Sequence, residues 1–114
     1  MNLQKIIDEL GFKVINPGDG LEKEVDTGYV GDLLSDVIAS GRQGDLWITI
    51  QVHENIIAVA TLKDLTAIVL AKNSQPLEET LESAKEEEIT LLSSPMTSFE
   101  IVTRLADLGI SGGR

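Results

Sequence analysis

The chain has 114 residues, no cysteine and a formal net charge of −10. This length suits one domain with one core, and the missing thiols exclude disulfides and Cys-ligated zinc or iron–sulfur clusters. The negative charge disfavours nucleic acid and anionic membranes as partners. Since the first residues do not form a signal peptide and no apolar run approaches the roughly 20 residues that span a bilayer, we expect a cytoplasmic protein.

The chain begins with a predicted helix and a predicted strand. Apolar residues recur at helical spacing from Leu3 to Leu10, with Asn2 as a cap and Gly11 as the stop. Alternation predicts a strand over residues 12–16, and a Pro-Gly-Asp-Gly turn follows it.

A second strand and a second helix come next. The strand is predicted over residues 25–30, and the helix is predicted to be capped by Asp32 and ended by Gly41. We expect the apolar side of this helix to be buried, namely Leu33, Leu34, Val37 and Ile38.

From residue 46 a strand-then-helix pattern occurs three times. The strands are predicted over 46–51, 67–71 and 89–93, and the helices over 55–65, 77–87 and 98–108. Near-continuous aliphatic residues predict strands buried on both faces, and crossovers of this length predict parallel, right-handed connections. Thr97 and Glu100 form a capping box for the last helix. We therefore expect one α/β domain with a mostly parallel sheet over 1–109, and a flexible Gly-rich tail over 110–114.

Ligands of open α/β sheets bind beyond the carboxyl ends of the strands. Four polar segments are predicted to gather there, each before a helix start, where free N–H groups favour anions. Helix capping explains the same residue types, so both interpretations stay open. The candidate ligand-binding residues are Thr27, Gly28, Gly31, Asp32, Thr49, Gln51, His53, Asn55, Lys72, Asn73, Ser74, Ser93, Ser94 and Thr97.

No catalytic constellation is legible. His53 is the only histidine, and neither a Ser/His/Asp order nor a Cys/His pair accompanies it. The segment from Gly28 to Asp32 lacks the ending of a phosphate loop and the glycine spacing of a dinucleotide site, and its glycines are equally explained by close packing. We therefore predict no catalytic residues and no metal site, and the sequence identifies no cofactor.

The region from Glu78 to Glu88 contains six glutamates and one lysine. It is either a solvated helix face or a docking surface for a basic protein partner. We also expect a homodimer, for which exposure of Trp47 or Leu62 would be a sign.

Three segments resemble the DRTGG domain, and the resemblance covers nearly the whole chain. They are residues 44–49, which read Gly-Asp-Leu-Trp-Ile-Thr, residues 67–76, and residues 91–100 with Ser93-Ser94-Pro95, Thr97, Phe99 and Glu100. That domain occurs inside certain phosphotransacetylases and CBS-containing proteins, and its fold is shared with the amino-terminal domain of HPr kinase. The resemblance implies a three-layer α/β/α sandwich with an accessory, regulatory role, and it supplies no catalytic residues.

The chain departs from the family pattern at two places. Family members usually have Thr-Gly-Gly after the strand that corresponds to residues 67–70, whereas this chain reads Ala71-Lys72-Asn73-Ser74. Asp45 matches the family's Asp, but the usual Arg after that strand is absent, with His53 and Glu54 nearby instead. The lost glycines argue against a phosphate cradle, and the chain is most similar to stand-alone, divergent members.

Three functions follow as hypotheses. The first is a non-catalytic regulatory or sensing domain that binds a small ligand, such as a nucleotide or another phosphate compound, a partner protein, or both. The alternative is a pure protein–protein adaptor that uses the acidic helix. The resemblance to stand-alone members, some encoded beside iron-only hydrogenase subunits, links this adaptor to hydrogenase or redox metabolism. The third is a small enzyme that uses His53.

Overall fold

The computed structural model describes residues 1–113, which contain five helices and five strands. In chain order they are α1 (Leu3–Leu10), β1 (Lys13–Asn16), β2 (Gly28–Val30), α2 (Leu34–Ser40), β3 (Leu46–Thr49), α3 (Asn55–Lys63), β4 (Ala67–Leu70), α4 (Glu78–Glu86), β5 (Thr90–Ser93) and α5 (Ser98–Asp107). Each predicted element is present, and the predicted strands and helices extend beyond the observed ones by a few residues at most.

The strands form one sheet in the order β1-β5-β4-β3-β2. Strands β2 to β5 run parallel to one another, and β1 pairs antiparallel with β5. The prediction of a mostly parallel sheet is confirmed. Strand β2 forms one margin of the sheet and contains three residues.

Helices cover both faces of the sheet. On one face α1 and α5 pack over Ile48, Val69 and Leu92. On the other face α2, α3 and α4 pack over Trp47 and Ile68. Strands β3, β4 and β5 are buried along their whole length, as their aliphatic composition predicts. The molecule is therefore a three-layer α/β/α sandwich.

Two helix starts follow the predicted local pattern. The Asn2 side chain accepts a hydrogen bond from the backbone N–H of Gln4 at 2.8 Å. At α5 the capping box is complete, because Thr97 accepts from the Glu100 N–H and Glu100 accepts from the Thr97 N–H. Each bond satisfies a backbone donor that a helix start leaves without an internal partner.

The start of α2 corrects the prediction. Leu33 occupies the cap position and no side chain caps the helix, because Asp32 turns toward β3 instead. Of the apolar side that was expected to be buried, Val37 is fully buried, while Leu33 is 67% and Ile38 40% exposed. The helix has seven residues and lies near the margin of the sheet, so it has little sheet surface to cover.

Other expectations concern Trp47, Leu62 and the tail. Trp47 is fully buried and its indole N–H donates to the Gly31 carbonyl at 2.9 Å, so it forms no surface patch. Leu62 is 68% exposed. Ile110 is buried, and Ser111 accepts from the Gly28 N–H at 3.0 Å, so the segment predicted as a flexible tail begins with two residues that contact the domain.

No helix within residues 1–113 has the length and apolar character needed to cross a membrane.

Candidate functional site

The carboxyl ends of β2 to β5 meet at one edge of the sheet, where the candidate residues were expected to gather. Most of them follow these strands and lie there. Thr27 and Gly28 do not, and their expected placement was wrong. They stand at the beginning of β2, and the Thr27 hydroxyl donates to the Asp45 carboxylate just before β3. They therefore lie at the opposite edge.

Asp32 joins the ends of β2 and β3. One of its carboxylate oxygens accepts from the Thr49 hydroxyl at 2.8 Å and from the Ile50 N–H at 3.0 Å. The Gln51 side-chain amide donates to the Asp32 carbonyl at 2.8 Å. Because Thr49 is fully buried, this cluster fixes the two strand ends to each other, and the Thr49 hydroxyl and one Asp32 carboxylate oxygen are bonded within the protein.

Lys72 and Asn73 form a tight turn after β4. Both have positive φ, 57° and 58°, and the Ser74 N–H donates to the Ala71 carbonyl at 3.1 Å. Two successive positive φ values are typical of a type I′ turn, which glycine and asparagine favour. The chain thus adopts a backbone conformation suited to glycine while carrying a lysine and an asparagine.

The loops after β4 and β5 are bonded to each other. The Lys72 N–H donates to the Met96 carbonyl, and the Asn73 N–H to the Ser94 carbonyl, both at 2.8 Å. These loops lead to helices on opposite faces of the sheet, and such a divergence is where an open α/β sheet usually has its ligand crevice. Here backbone hydrogen bonds join the two sides, and Ser93 and Ser94 are 2% and 1% exposed.

The remaining candidates are more accessible. His53 and Asn55 are exposed where β3 leads into α3, and Thr97 caps α5. Within the described part of the chain no side chain hydrogen-bonds to the His53 imidazole. In that same part, no three His, Asp or Glu side chains are grouped so as to hold a metal ion.

Two open cavities flank the sheet, and sequence reasoning predicted neither of them, although the candidate Gly28 lines one and the candidate Asn55 lines the other. The first, which we call the β2–α5 pocket, has a volume of about 370 Å³. Its lining is Gly28, Val30, Ile48, Val102, Leu105, Ala106, Ile110, Ser111 and Gly112. The second, the α3–α4 groove, has a volume of about 550 Å³ and lies on the other face of the sheet. Its lining is Glu54, Asn55, Ile57, Ala58, Thr61, Leu62, Ser83 and Glu87.

The fold and these cavities define a small α/β domain with open concave surfaces at its sides. The model of the DRTGG domain matches residues 5–108, and the chain belongs to that family. The resemblance inferred from residues 44–49, 67–76 and 91–100 is thereby confirmed.

A solved structure has a similar fold. It contains the CBS and DRTGG domains of the regulatory region of Clostridium perfringens pyrophosphatase, complexed with the activator diadenosine tetraphosphate. The TM-score is 0.70 at 20% sequence identity, over 91% of this chain and 45% of that chain. This chain therefore corresponds to less than half of the neighbour. No curated protein sequence matches it.

Proposed function

We propose that this chain is a non-catalytic regulatory domain that binds a small ligand with a flat heteroaromatic ring, such as a nucleobase, in the β2–α5 pocket. The observation that carries the proposal is the position of the pocket. Its apolar walls adjoin the outer edge of β2, where backbone donors and acceptors face outward.

The pocket has the size and lining of a small-molecule site. Such sites are typically about 300–1,000 Å³ and mostly apolar, with a few polar groups that orient the ligand. At about 370 Å³ the pocket lies at the lower end of that range. Val30 and Val102 are 45% and 43% exposed and line the pocket together with Ile48, so a ring placed there removes apolar surface from water.

The edge of β2 supplies the polar groups. The backbone groups of successive strand residues point alternately to the two sides of the strand. The Thr27 carbonyl accepts from the Leu46 N–H, and the Gly31 N–H donates to the Ile48 carbonyl, so both residues face β3. Val30 therefore directs its N–H and C=O outward, next to its own side chain in the pocket wall. Within residues 1–113 no strand pairs with β2 at this position. A ring with an adjacent donor and acceptor would match these two groups.

Charge determines which part of a nucleotide would supply the affinity. Among residues 1–113, the lining of the pocket contains no lysine or arginine, and the chain carries a net charge of −10. A phosphate group gains nothing in such a field. We therefore expect the base to be recognised and the phosphates to remain in solvent. The pyrophosphatase regulatory region, with diadenosine tetraphosphate as its activator, supports the class of ligand. The match covers 45% of that regulatory region.

Calorimetry and thermal shift with nucleosides and their triphosphates test this proposal. We expect at least one nucleoside to bind as tightly as its triphosphate, and to raise the melting temperature in a concentration-dependent way. Ala106→Phe, which fills the pocket, should abolish binding. Ala39→Phe on α2, another exposed alanine, should leave binding intact. Affinity that increases with each phosphate, or that survives Ala106→Phe, contradicts the proposal.

A second copy of the chain is the competing occupant of the β2 edge, and the homodimer remains a prediction. Light scattering separates the two occupants. A dimer that Ala106→Phe converts to a monomer, without any nucleoside binding by the original protein, would assign this surface to self-association.

A further inference from the structure

We propose that the α3–α4 groove is a docking site for a basic, amphipathic helical segment of a partner protein. This surface lies on the face of the sheet opposite the β2–α5 pocket, so the inference does not depend on the ligand proposed above. Three observations carry it, namely the composition of α3, the charge of α4 and the shape between them.

Helix α3 carries no charge on its outer side between Asn55 and Leu62. Its buried residues are Ile56, Ile57, Val59 and Ala60. Its exposed surface consists of Asn55, Ala58, Thr61 and Leu62, with no charge before Lys63. A surface helix normally has charged residues opposite its buried stripe, and a helix that is apolar all round is normally covered. The outer side of α3 thus lacks the charges that a solvated helix face normally has, and it exposes Ala58 and Leu62.

Ala58 and Leu62 lie one turn apart on this outer side. Leu62 is 68% exposed, and both residues line the groove with the edge of Ile57. The side chains therefore form an apolar strip that runs along the helix axis, as an incoming helix requires.

The opposite wall of the groove is acidic. Helix α4 lies within a segment that holds six glutamates against Lys85, and Lys85 is itself close to Glu82, at 3.9 Å. Glu87 lines the groove directly. At the other end, Glu54 also lines it, and its carboxylate accepts a hydrogen bond from the Ser83 hydroxyl at 3.0 Å. Carboxylates thus stand at the rim of an apolar strip.

This arrangement selects the charge of the occupant. A second copy of the chain would bring another net charge of −10 and another acidic α4 toward the same rim, and like charges at an interface oppose association. A helix with leucines on one side and lysines or arginines beside them satisfies both parts of the groove. Its leucines cover Ala58 and Leu62, and its cations face Glu54 and Glu87.

A designed peptide provides a direct probe. It is a helix of about 18 residues, or five turns, with a leucine stripe flanked by lysine and arginine. A second peptide has the same composition in scrambled order, so it retains the charge and loses the stripe. We expect the amphipathic peptide to bind the full chain at least about tenfold more tightly than the scrambled one in fluorescence anisotropy, and added salt to weaken the binding.

Two matched pairs of variants locate the site. Leu62→Asp should weaken binding at least about tenfold, whereas Leu33→Asp should not, although Leu33 is equally exposed at 67%. Glu87→Lys should weaken binding, whereas Asp107→Lys, which makes the same change in net charge on α5, should have little effect. Circular dichroism establishes that all four variants fold.

Three outcomes overturn the proposal. Equal binding of both peptides would mean that affinity is only nonspecific charge attraction. Equal effects of Leu62→Asp and Leu33→Asp would place the contact elsewhere. A dimer in light scattering that Leu62→Asp converts to a monomer, with no peptide bound to the original chain, would assign the groove to a second copy.

Discussion

The side-chain amide of Asn16 donates a hydrogen bond to the backbone carbonyl of Ile89 at 2.8 Å. The same nitrogen lies 3.2 Å from the Ala84 carbonyl, which belongs to the last turns of α4. Carbonyls at a helix end have no partner within the helix, and Asn16 is 7% exposed. One side chain at the end of β1 thus donates to two carbonyls that flank the connection from α4 to β5.

We therefore expect Asn16→Ala to lower the free energy of unfolding by about 1–3 kcal/mol, because it leaves the buried Ile89 carbonyl without its donor, whereas the Ala84 carbonyl still accepts from the Ile89 N–H at 2.9 Å. Asn55→Ala, at an exposed asparagine, should change it by less than about 0.5 kcal/mol. Urea denaturation of both variants measures the difference. Equal midpoints would show that water replaces the Asn16 amide.

The order and type of the elements could be predicted because their signals are local. Leu3 to Leu10 has the spacing of a helix, and the caps at Asn2 and Thr97 act within three residues. Asp32 shows where this reasoning fails. A polar residue before a helix is equally suited to a cap and to a strand clamp, and its partner Thr49 is 17 residues away. Sequence spacing does not reveal that contact.

The cavities were missed for the same reason. Val30 and Val102 lie within a predicted strand and a predicted helix, and they line one pocket only because α5 packs beside β2. The α3–α4 groove did have a local signal. The stretch from Asn55 to Leu62 has no charged residue on any side, and a surface helix of that composition is unusual.

The clamp formed by Asp32 gives a second prediction. Asp32→Ala removes the acceptor for the buried Thr49 hydroxyl and the Ile50 N–H, so we expect a loss of about 1–3 kcal/mol in unfolding free energy. Asp26→Ala, at an exposed aspartate, serves as the control. Serine replaces aspartate well at a helix cap but is too short to span to β3. If Asp32→Ser restored full stability, the residue would be a cap after all.

The turn at Lys72 gives a third prediction. A residue with a Cβ atom in the left-handed region costs about 1–2 kcal/mol, and the φ of Lys72 is 57°. Lys72→Gly should therefore raise the unfolding free energy by roughly 0.5–1 kcal/mol, since glycine relieves this strain and loses some of the gain as chain entropy. Lys72→Ala should give no such increase. A loss of stability in Lys72→Gly would mean that the lysine side chain itself stabilises the edge of the sheet.

Two glycines, one in the turn between β1 and β2 and one before β3, allow the cost of an unfavourable φ to be measured separately from the cost of a steric clash. Gly18 and Gly44 both have positive φ, 51° and 84°. A Cβ atom on Gly18 would lie 2.5 Å from the carbonyl carbon of Ile89 and 2.6 Å from the carbonyl oxygen of Glu88. In the described structure a Cβ atom on Gly44 would have no neighbour within 4 Å.

Gly44→Ala should therefore cost only the conformational penalty, about 1–2 kcal/mol of unfolding free energy. Gly18→Ala adds a clash with backbone that cannot rotate away, and overpacking of this kind costs about 1–3 kcal/mol more. We expect the denaturation midpoints to rank original chain, Gly44→Ala, Gly18→Ala, with separate steps between them. If the two variants were equally stable, the turn would be able to move away from the start of β5. In that case the contact between residues 17–20 and β5 would contribute little to holding the sheet margin in place.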